Sequence, residues 1–329
     1  MVQQLCASPE VYQVQVDLPE NPLRNLNAYV ICSQREWMVI DTGFNREECR
    51  KALLGGMEEL GLDWGRTSLF LTHLHSDHIG LVHEFSDRGC PVYINGIDYE
   101  ICTLPRDRRW GGVERTFRLE GFPQDMLDRQ ERENQGRAYA PRGPFPVTKV
   151  GDGTVLTVGD LKLICRHTPG HTPGHTVLYL PEAGFLFSGD HILFSITPNI
   201  SIWDGVPDSL ADYLTSLEGL LGLRVTRTFP AHRTWDGDLY QRIDQLIRHH
   251  RARLDQVQSV VAQHPGADAY TIAGQLTWSA RGLGWEAFPP HQKWFAMGET
   301  LAHLYYLAIR GAVERREQGG RVMYGAKSK

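Results

Sequence analysis

The chain has 329 residues, 41% of them hydrophobic and 22% charged, and a net charge of −5 at neutral pH. No apolar run approaches the length of a membrane span, which excludes a helical membrane protein and leaves a globular chain with room for one large domain and a smaller one. The charge is uneven: residues 1–238 hold 22 Lys and Arg against 32 Asp and Glu, residues 239–329 hold 12 against 7, and the step from −10 to +5 predicts a domain boundary near Asp238.

In chain order, residues 1–6 lack the basic start and apolar centre of a signal peptide. Six cysteines without CxxC spacing read as reduced thiols, so a cytoplasmic location is expected. Residues 29–32 and 37–40 read as neighbouring strands around a turn, followed by a helix over 46–60 that Gly61 ends. A buried strand over 69–71, a helix over 79–85 and a strand over 91–94 continue the α/β rhythm. Residues 97–146 break it. This segment carries nine arginines and reads as an insertion whose clearest helix covers 123–134. Strands are predicted over 154–158, 161–165, 176–180 and 185–187, a helix over 208–221 and a last strand over 227–229. From Gly237 the texture turns helical: the apolar period over 239–264 predicts a long helix, others start near 271 and 295, and 319–324 reads as a short hairpin. His249 and His250, flanked by arginines, read as a solvated helix face.

The run Thr72-His73-Leu74-His75-Ser76-Asp77-His78 sets three imidazoles and a carboxylate in six residues directly after an apolar strand. Such a ligand density suits zinc, with iron or manganese as alternatives. The bland alternative is a polar loop with surface histidines. Four further segments weigh against it: Ile40-Asp41-Thr42-Gly43, Thr168-Pro169-Gly170-His171, Ser188-Gly189-Asp190 and Pro230-Ala231-His232, each placing a polar group after a strand-like stretch.

In content and order these five motifs resemble the metallo-β-lactamase superfamily, over roughly residues 10–238. The resemblance implies an αββα sandwich for 1–238 and two metal ions. It assigns His73, His75 and His171 to the first ion, Asp77, His78 and His232 to the second, and Asp190 between them. Residues two apart on an extended segment point the same way, so His73 and His75 can reach one ion. Two zinc ions would hold a bridging hydroxide as nucleophile and polarise the substrate oxygen. Asp77 would orient the nucleophile and pass a proton to the leaving group. Asp41 is expected to hold a site histidine or its loop from behind. His175 is expected to support the site, the alternative being that it replaces His171 as ligand, and His191 to support or line it. The three helices and hairpin after 239 more loosely resemble a winged-helix extension.

The activity expected is hydrolysis of a small ester, thioester or lactone, as in the glyoxalase II-like branch, although no motif matches that branch's glutathione-gripping residues. The alternatives are an endoribonuclease or phosphodiesterase of the same superfamily and a mononuclear iron oxidoreductase of the sulfur-dioxygenase type. β-Lactam hydrolysis is less favoured. No GxSxG supports a serine nucleophile. A small-molecule substrate is expected as partner, nucleic acid is not favoured, and no membrane is expected. The aromatic-rich segment 239–329 is expected to pack on the catalytic part or on a second subunit, as in a homodimer.

Overall fold

The computed structural model describes residues 1–234, 237–278 and 284–327. Two compact units divide the chain. One comprises Met1–Thr103, Gln135–Pro198 and Gly219–Arg242; the other comprises Leu104–Asn134, Asn199–Glu218 and Ile243–Lys329.

The first unit is built on two sheets. Strands β1 (Val2–Ala7), β2 (Glu10–Asp17), β3 (Asn25–Ser33), β4 (Glu36–Ile40), β5 (Thr67–Phe70), β6 (Val92–Asn95) and β7 (Thr148–Val150) lie side by side in that order. Pairing is antiparallel as far as β4 and parallel from β4 to β7. The turn between β3 and β4 is two residues, Gln34 and Arg35, with φ of 50° and 62°, the hand that matches strand twist. A parallel neighbour needs a crossover, and the helix Glu47–Glu59 supplies it between β4 and β5. The second sheet contains β8 (Val155–Val158), β9 (Leu161–His167), β10 (Thr176–Leu180), β11 (Phe185–Gly189) and β12 (Arg227–Pro230) in the order β12-β11-β10-β9-β8. Only β11 and β12 run parallel.

The burial pattern explains the layering. Residues of β10 and β11 are buried without alternation, as strands covered on both faces must be. One apolar layer joins Tyr29, Ile31, Met38 and Phe70 of the first sheet to Leu163, Leu178, Phe187 and Phe229 of the second. The rings of Phe187 and Phe229 stack at 4.7 Å, and Tyr29 meets both edge-on. The other face of the first sheet packs Val14, Val30, Val39 and Leu69 on Leu53, Met57 and Phe85. The unit is thus an α/β sandwich in which sheet lies on sheet and helices cover the first sheet's far face.

Two readings of the sequence are revised here. The helix expected over 79–85 is two short ones, Ser76–Ile79 and His83–Ser86. Between them the Leu81 N–H donates to Thr42 Oγ1, outside the helical pattern. The N-terminal strands β1 and β2 were not singled out, although Val14 and Val16 alternate with glutamines.

The second unit holds the helices Arg106–Leu119, Gln124–Glu133, Ala269–Gln275 and Pro290–Ile309, and most of Ser209–Leu220 and Leu239–Gln263. A hairpin of β13 (Val313–Gln318) and β14 (Arg321–Ala326) follows the last helix. Arg106–Leu119 forms despite the helix-weakening pair Gly111-Gly112, which hid it in the sequence. In the core Trp294 lies against Phe117, ring centres 4.2 Å apart and tilted by 33°, with Phe122 beside both. Within the aromatic-rich segment after residue 239, Phe288, Trp294, Leu301, Leu304 and Leu307 are buried, whereas Phe295 is exposed. The fully buried Glu120 accepts from Arg315 at 3.0 Å and from Tyr324 Oη at 3.1 Å, which ties the end of Arg106–Leu119 to the hairpin.

His250 is not on a solvated face but fully buried. It continues the stripe of Ile243, Leu246, Leu254, Val257 and Val261 at three- and four-residue steps. Its Nδ1 lies 3.2 Å from Nε2 of the buried His303, whose Nδ1 donates to the Glu299 carbonyl. Burial, together with the neighbouring imidazoles and Arg253, holds His250 far below the usual imidazole range; burial pushes His303 down to about 3. Both values lie below the unfolded one of about 6.5, so their contribution to stability is complete above that pH and is lost as pH falls through the window below it. Replacing both histidines by leucine should therefore flatten the loss of stability on acidification. At pH 5.5 the difference should be about 1.4 kcal/mol per histidine, measured by denaturant unfolding against pH 7.5. An unchanged slope would show that the pair takes up protons in the folded state.

Candidate metal centre

The expected site residues meet at one edge of the two sheets because of how the strands run. Asp41 follows β4, and Thr72 to His78 follow β5, its parallel neighbour. In the second sheet Asp190 follows β11 and His232 follows β12, again parallel neighbours. His171 and His175 precede β10, which runs antiparallel to β11, so its start lies beside the end of β11. The Thr176 N–H donates to the Thr72 carbonyl at 2.9 Å and links the two sheets at this edge.

Among the described residues two groups of side chains result, His73 with His75 and His171, and Asp77 with His78 and His232, each with its possible ligand atoms within 4.8 Å of one another; a third such group, His73, His78 and Asp190, spans them. In the first, His73 Nε2 and His171 Nε2 lie 2.9 and 3.0 Å from His75 Nδ1. In the second, His232 Nε2 and His78 Nε2 lie 3.5 and 3.8 Å from Asp77 Oδ2. Asp190 faces both. Its Oδ1 is 3.3 Å from His232 Nε2 and 3.6 Å from His78 Nε2, while its Oδ2 is 3.6 Å from His171 Nε2.

The outer nitrogens of three of these rings are tied back, which fixes which nitrogen faces inward. His78 Nδ1 donates to Asp41 Oδ2 at 2.8 Å, His73 Nδ1 to Thr72 Oγ1 at 3.0 Å, and His232 Nδ1 to the Asn25 carbonyl at 2.8 Å. The inward atoms His78 Nε2, His232 Nε2 and Asp190 Oδ1 are fully buried and have no hydrogen-bond partner. Buried polar atoms left so are costly, and a cation among them removes the cost. Imidazole nitrogens bound to one zinc at its usual length stand roughly 3.3 Å apart, close to the spacing of the first group. The residues present therefore fit a divalent metal.

Charge follows the same partition. Burial and the surrounding imidazoles hold His73 well below its ordinary range. Burial opposes charge on His78 as well, yet Asp41, Asp77 and Asp190 overcome it and push His78 up to about 10. Burial alone would raise the Asp77 carboxyl; His78 and His232 outweigh it and hold the group well below the carboxylate range. His73 is thus held neutral in the first group, whereas the second group pairs imidazole with carboxylate, pairs that a metal would replace.

The supporting residues take distinct places. Asp41, in a left-handed backbone conformation with φ of 62°, accepts the Thr72 N–H and Thr72 Oγ1–H at 2.8 Å each, besides His78. His175 belongs to neither group. Its Nε2 accepts the Asp190 N–H at 3.2 Å and its Nδ1 meets Thr168 Oγ1 at 2.9 Å. His191 is buried with its ring 5.7 Å from that of His175 and belongs to neither group. Three residues escaped the sequence reading. Thr72 joins Asp41 to His73. The Asn27 side-chain amide donates to the Pro230 and Arg233 carbonyls at 3.0 and 2.9 Å and so brackets His232. Asp98 is the third, and binds the loops that carry His73, His75 and His171. A polar residue inside the apolar run of β3 was the available signal for Asn27; Asp98 left none.

Comparison with known proteins agrees with this geometry. Residues 22–232 match the family model described as metallo-beta-lactamase superfamily, and residues 286–326 match that described as metallo-beta-lactamase-like, C-terminal domain. The chain belongs to the metallo-beta-lactamase superfamily. It is accordingly a metal-dependent hydrolase with a C-terminal domain of the kind that accompanies this fold. A metallo-beta-lactamase family protein from Thermus thermophilus is similar at 29% identity and a TM-score of 0.80, over 96% of this chain and 98% of that one. A beta-lactamase domain protein from Burkholderia ambifaria is similar at 25% identity and a TM-score of 0.84, over 99% and 94%. The beta-lactamase-like protein 2 homolog of Caenorhabditis elegans shares 26% identity over 77% of this chain and 71% of its own length. Among the described residues, no helix is long and apolar enough to cross a membrane.

Gly189 sets Asp190 in place. Its φ is +51°, and a Cβ there would stand 2.7 Å from His175 Nε2 and 2.9 Å from the Thr72 side chain. Gly189→Ala should lower stability by about 1–3 kcal/mol through overpacking, read from the denaturation midpoint. A midpoint equal to that of the unaltered protein would mean that this corner yields freely.

Proposed function

We propose that this protein hydrolyses a small acyl thioester or related ester or lactone at a two-ion centre, with zinc as the metal. His73, His75 and His171 would hold one ion, Asp77, His78 and His232 the other, and Asp190 both. The observation that carries this reading is Asp190, whose two oxygens face the two groups separately. When bound, the metals would supply an activated water and polarise the substrate oxygen. Asp77 would accept a hydrogen bond from the attacking water and carry a proton toward the leaving group.

Thioester as the substrate class draws support from one relative. The protein named atrochrysone carboxyl ACP thioesterase from Aspergillus fumigatus is 22% identical over 75% of this chain, which spans 47% of that protein's length. A glyoxalase II-like character, a winged-helix-like part from about residue 239, a small-molecule rather than nucleic-acid partner, a homodimeric assembly and a cytoplasmic location belong to the same proposal.

The test is metal analysis of zinc-loaded protein, followed by assay on acyl thioesters, esters, lactones, a β-lactam and RNA. Two ions per chain and turnover of a thioester are expected. Asp77→Asn should reduce that turnover about 10²–10⁴-fold with the circular dichroism spectrum unchanged. A single iron with oxygen consumption, or cleavage of RNA alone, would replace this reading.

A further inference from the structure

We infer that Asp98 is the positioning residue of the three-histidine group, doing for His73, His75 and His171 what Asp41 does for His78. The inference rests on reading those histidines as metal ligands. Asp98 lies in the first turn of the helix Gly96–Cys102 and is fully buried. Its Oδ2 accepts the Leu74 N–H at 2.9 Å and the Thr172 hydroxyl at 2.6 Å; its Oδ1 accepts the Gly174 N–H at 2.6 Å. Leu74 stands between His73 and His75, Thr172 follows His171, and Gly174 precedes His175. One carboxylate thus ties together two loops that are far apart in sequence, at the residues adjoining every histidine of the first group.

The contact is built for a carboxylate at close range. All three partners donate, so both oxygens must accept, and hydrogen bonds to an ionised acceptor are short and strong. An asparagine would turn an NH₂ toward at least one donor. Gly174 leaves the space: a Cβ there would meet the Asp98 backbone nitrogen at 2.6 Å and Oδ1 at 2.7 Å. Asp98 belongs to neither ligand group. Its influence passes through the loops, which set the 2.9 and 3.0 Å separations of the three inward nitrogens.

The two buried aspartates divide the work. Asp41 holds Thr72 and the ring of His78, the two ends of the loop. Asp98 holds its middle and fastens it to the loop bearing His171. Loss of one should therefore weaken one ion more than the other, which a general loss of stability would not do.

The experiment adds Co²⁺ to metal-stripped protein, followed by visible absorption and by competition with a chromophoric chelator. His171→Ala and His232→Ala identify the step that belongs to each group, and circular dichroism confirms folding. Asp98→Asn should weaken the His171-dependent step about 10–100-fold, the usual effect of removing a partner that orients a ligand, and leave the His232-dependent step within about threefold. Thr172→Val removes one of the three bonds and should weaken the same step by less. It also carries the test alone should Asp98→Asn fail to fold. Unchanged affinity of the His171-dependent step, or equal weakening of both steps, would overturn the inference while leaving the metal centre standing. A wild-type protein with no His171-dependent step would overturn the metal reading itself, and the inference with it.

Discussion

Buried polar atoms without hydrogen-bond partners govern this molecule. Several buried imidazole nitrogens and a carboxylate oxygen face one another across a few ångströms at the edge of two sheets, and the protein offers no donor to the inward atoms of His78, His232 and Asp190. Such a cluster is unfavourable as it stands, since desolvation is not repaid by hydrogen bonds. Whatever holds these rings in place must therefore be stiff. The tying-back of their outer nitrogens, the aspartates behind the loops and the doubly covered strands beneath them are all answers to that demand.

The scaffold meets it by geometry before chemistry. Parallel neighbours end at the same edge, so β4 with β5, and β11 with β12, deliver four polar segments to one place without long excursions. The alignment is then refined by backbone hydrogen bonds between segments, such as Thr176 to Thr72 and Ala231 to Gly189. Asn27 and Tyr29, two positions apart on β3, both donate to the Pro230 carbonyl and fix the end of β12 from the opposite sheet.

How much of this could be read from the sequence depended on whether a residue's meaning was local. The histidine and aspartate motifs advertise themselves because a solvated loop has no use for three imidazoles and a carboxylate within six residues. The strands β10 and β11 were visible as unbroken apolar runs. Asp98 was not, because its partners lie 24 to 76 positions away and a single aspartate near a helix start is ordinary. The same limit misplaced His250: its arginine neighbours suggested water, whereas its place in the 3.6-residue apolar period set it inside. Periodicity was the better guide there, because burial on a helix is decided by face and not by adjacent residues.

The assembly of one centre from segments between Asp41 and His232 also bears on how the chain matures. Four of the expected ligands are neighbours in the chain, but His171, Asp190 and His232 join them only when the second sheet has closed against the first and β12 has found its edge position. Contacts of such sequence separation form late in folding. Full metal affinity is then coupled to completed topology, because the whole ligand set exists only in the folded chain.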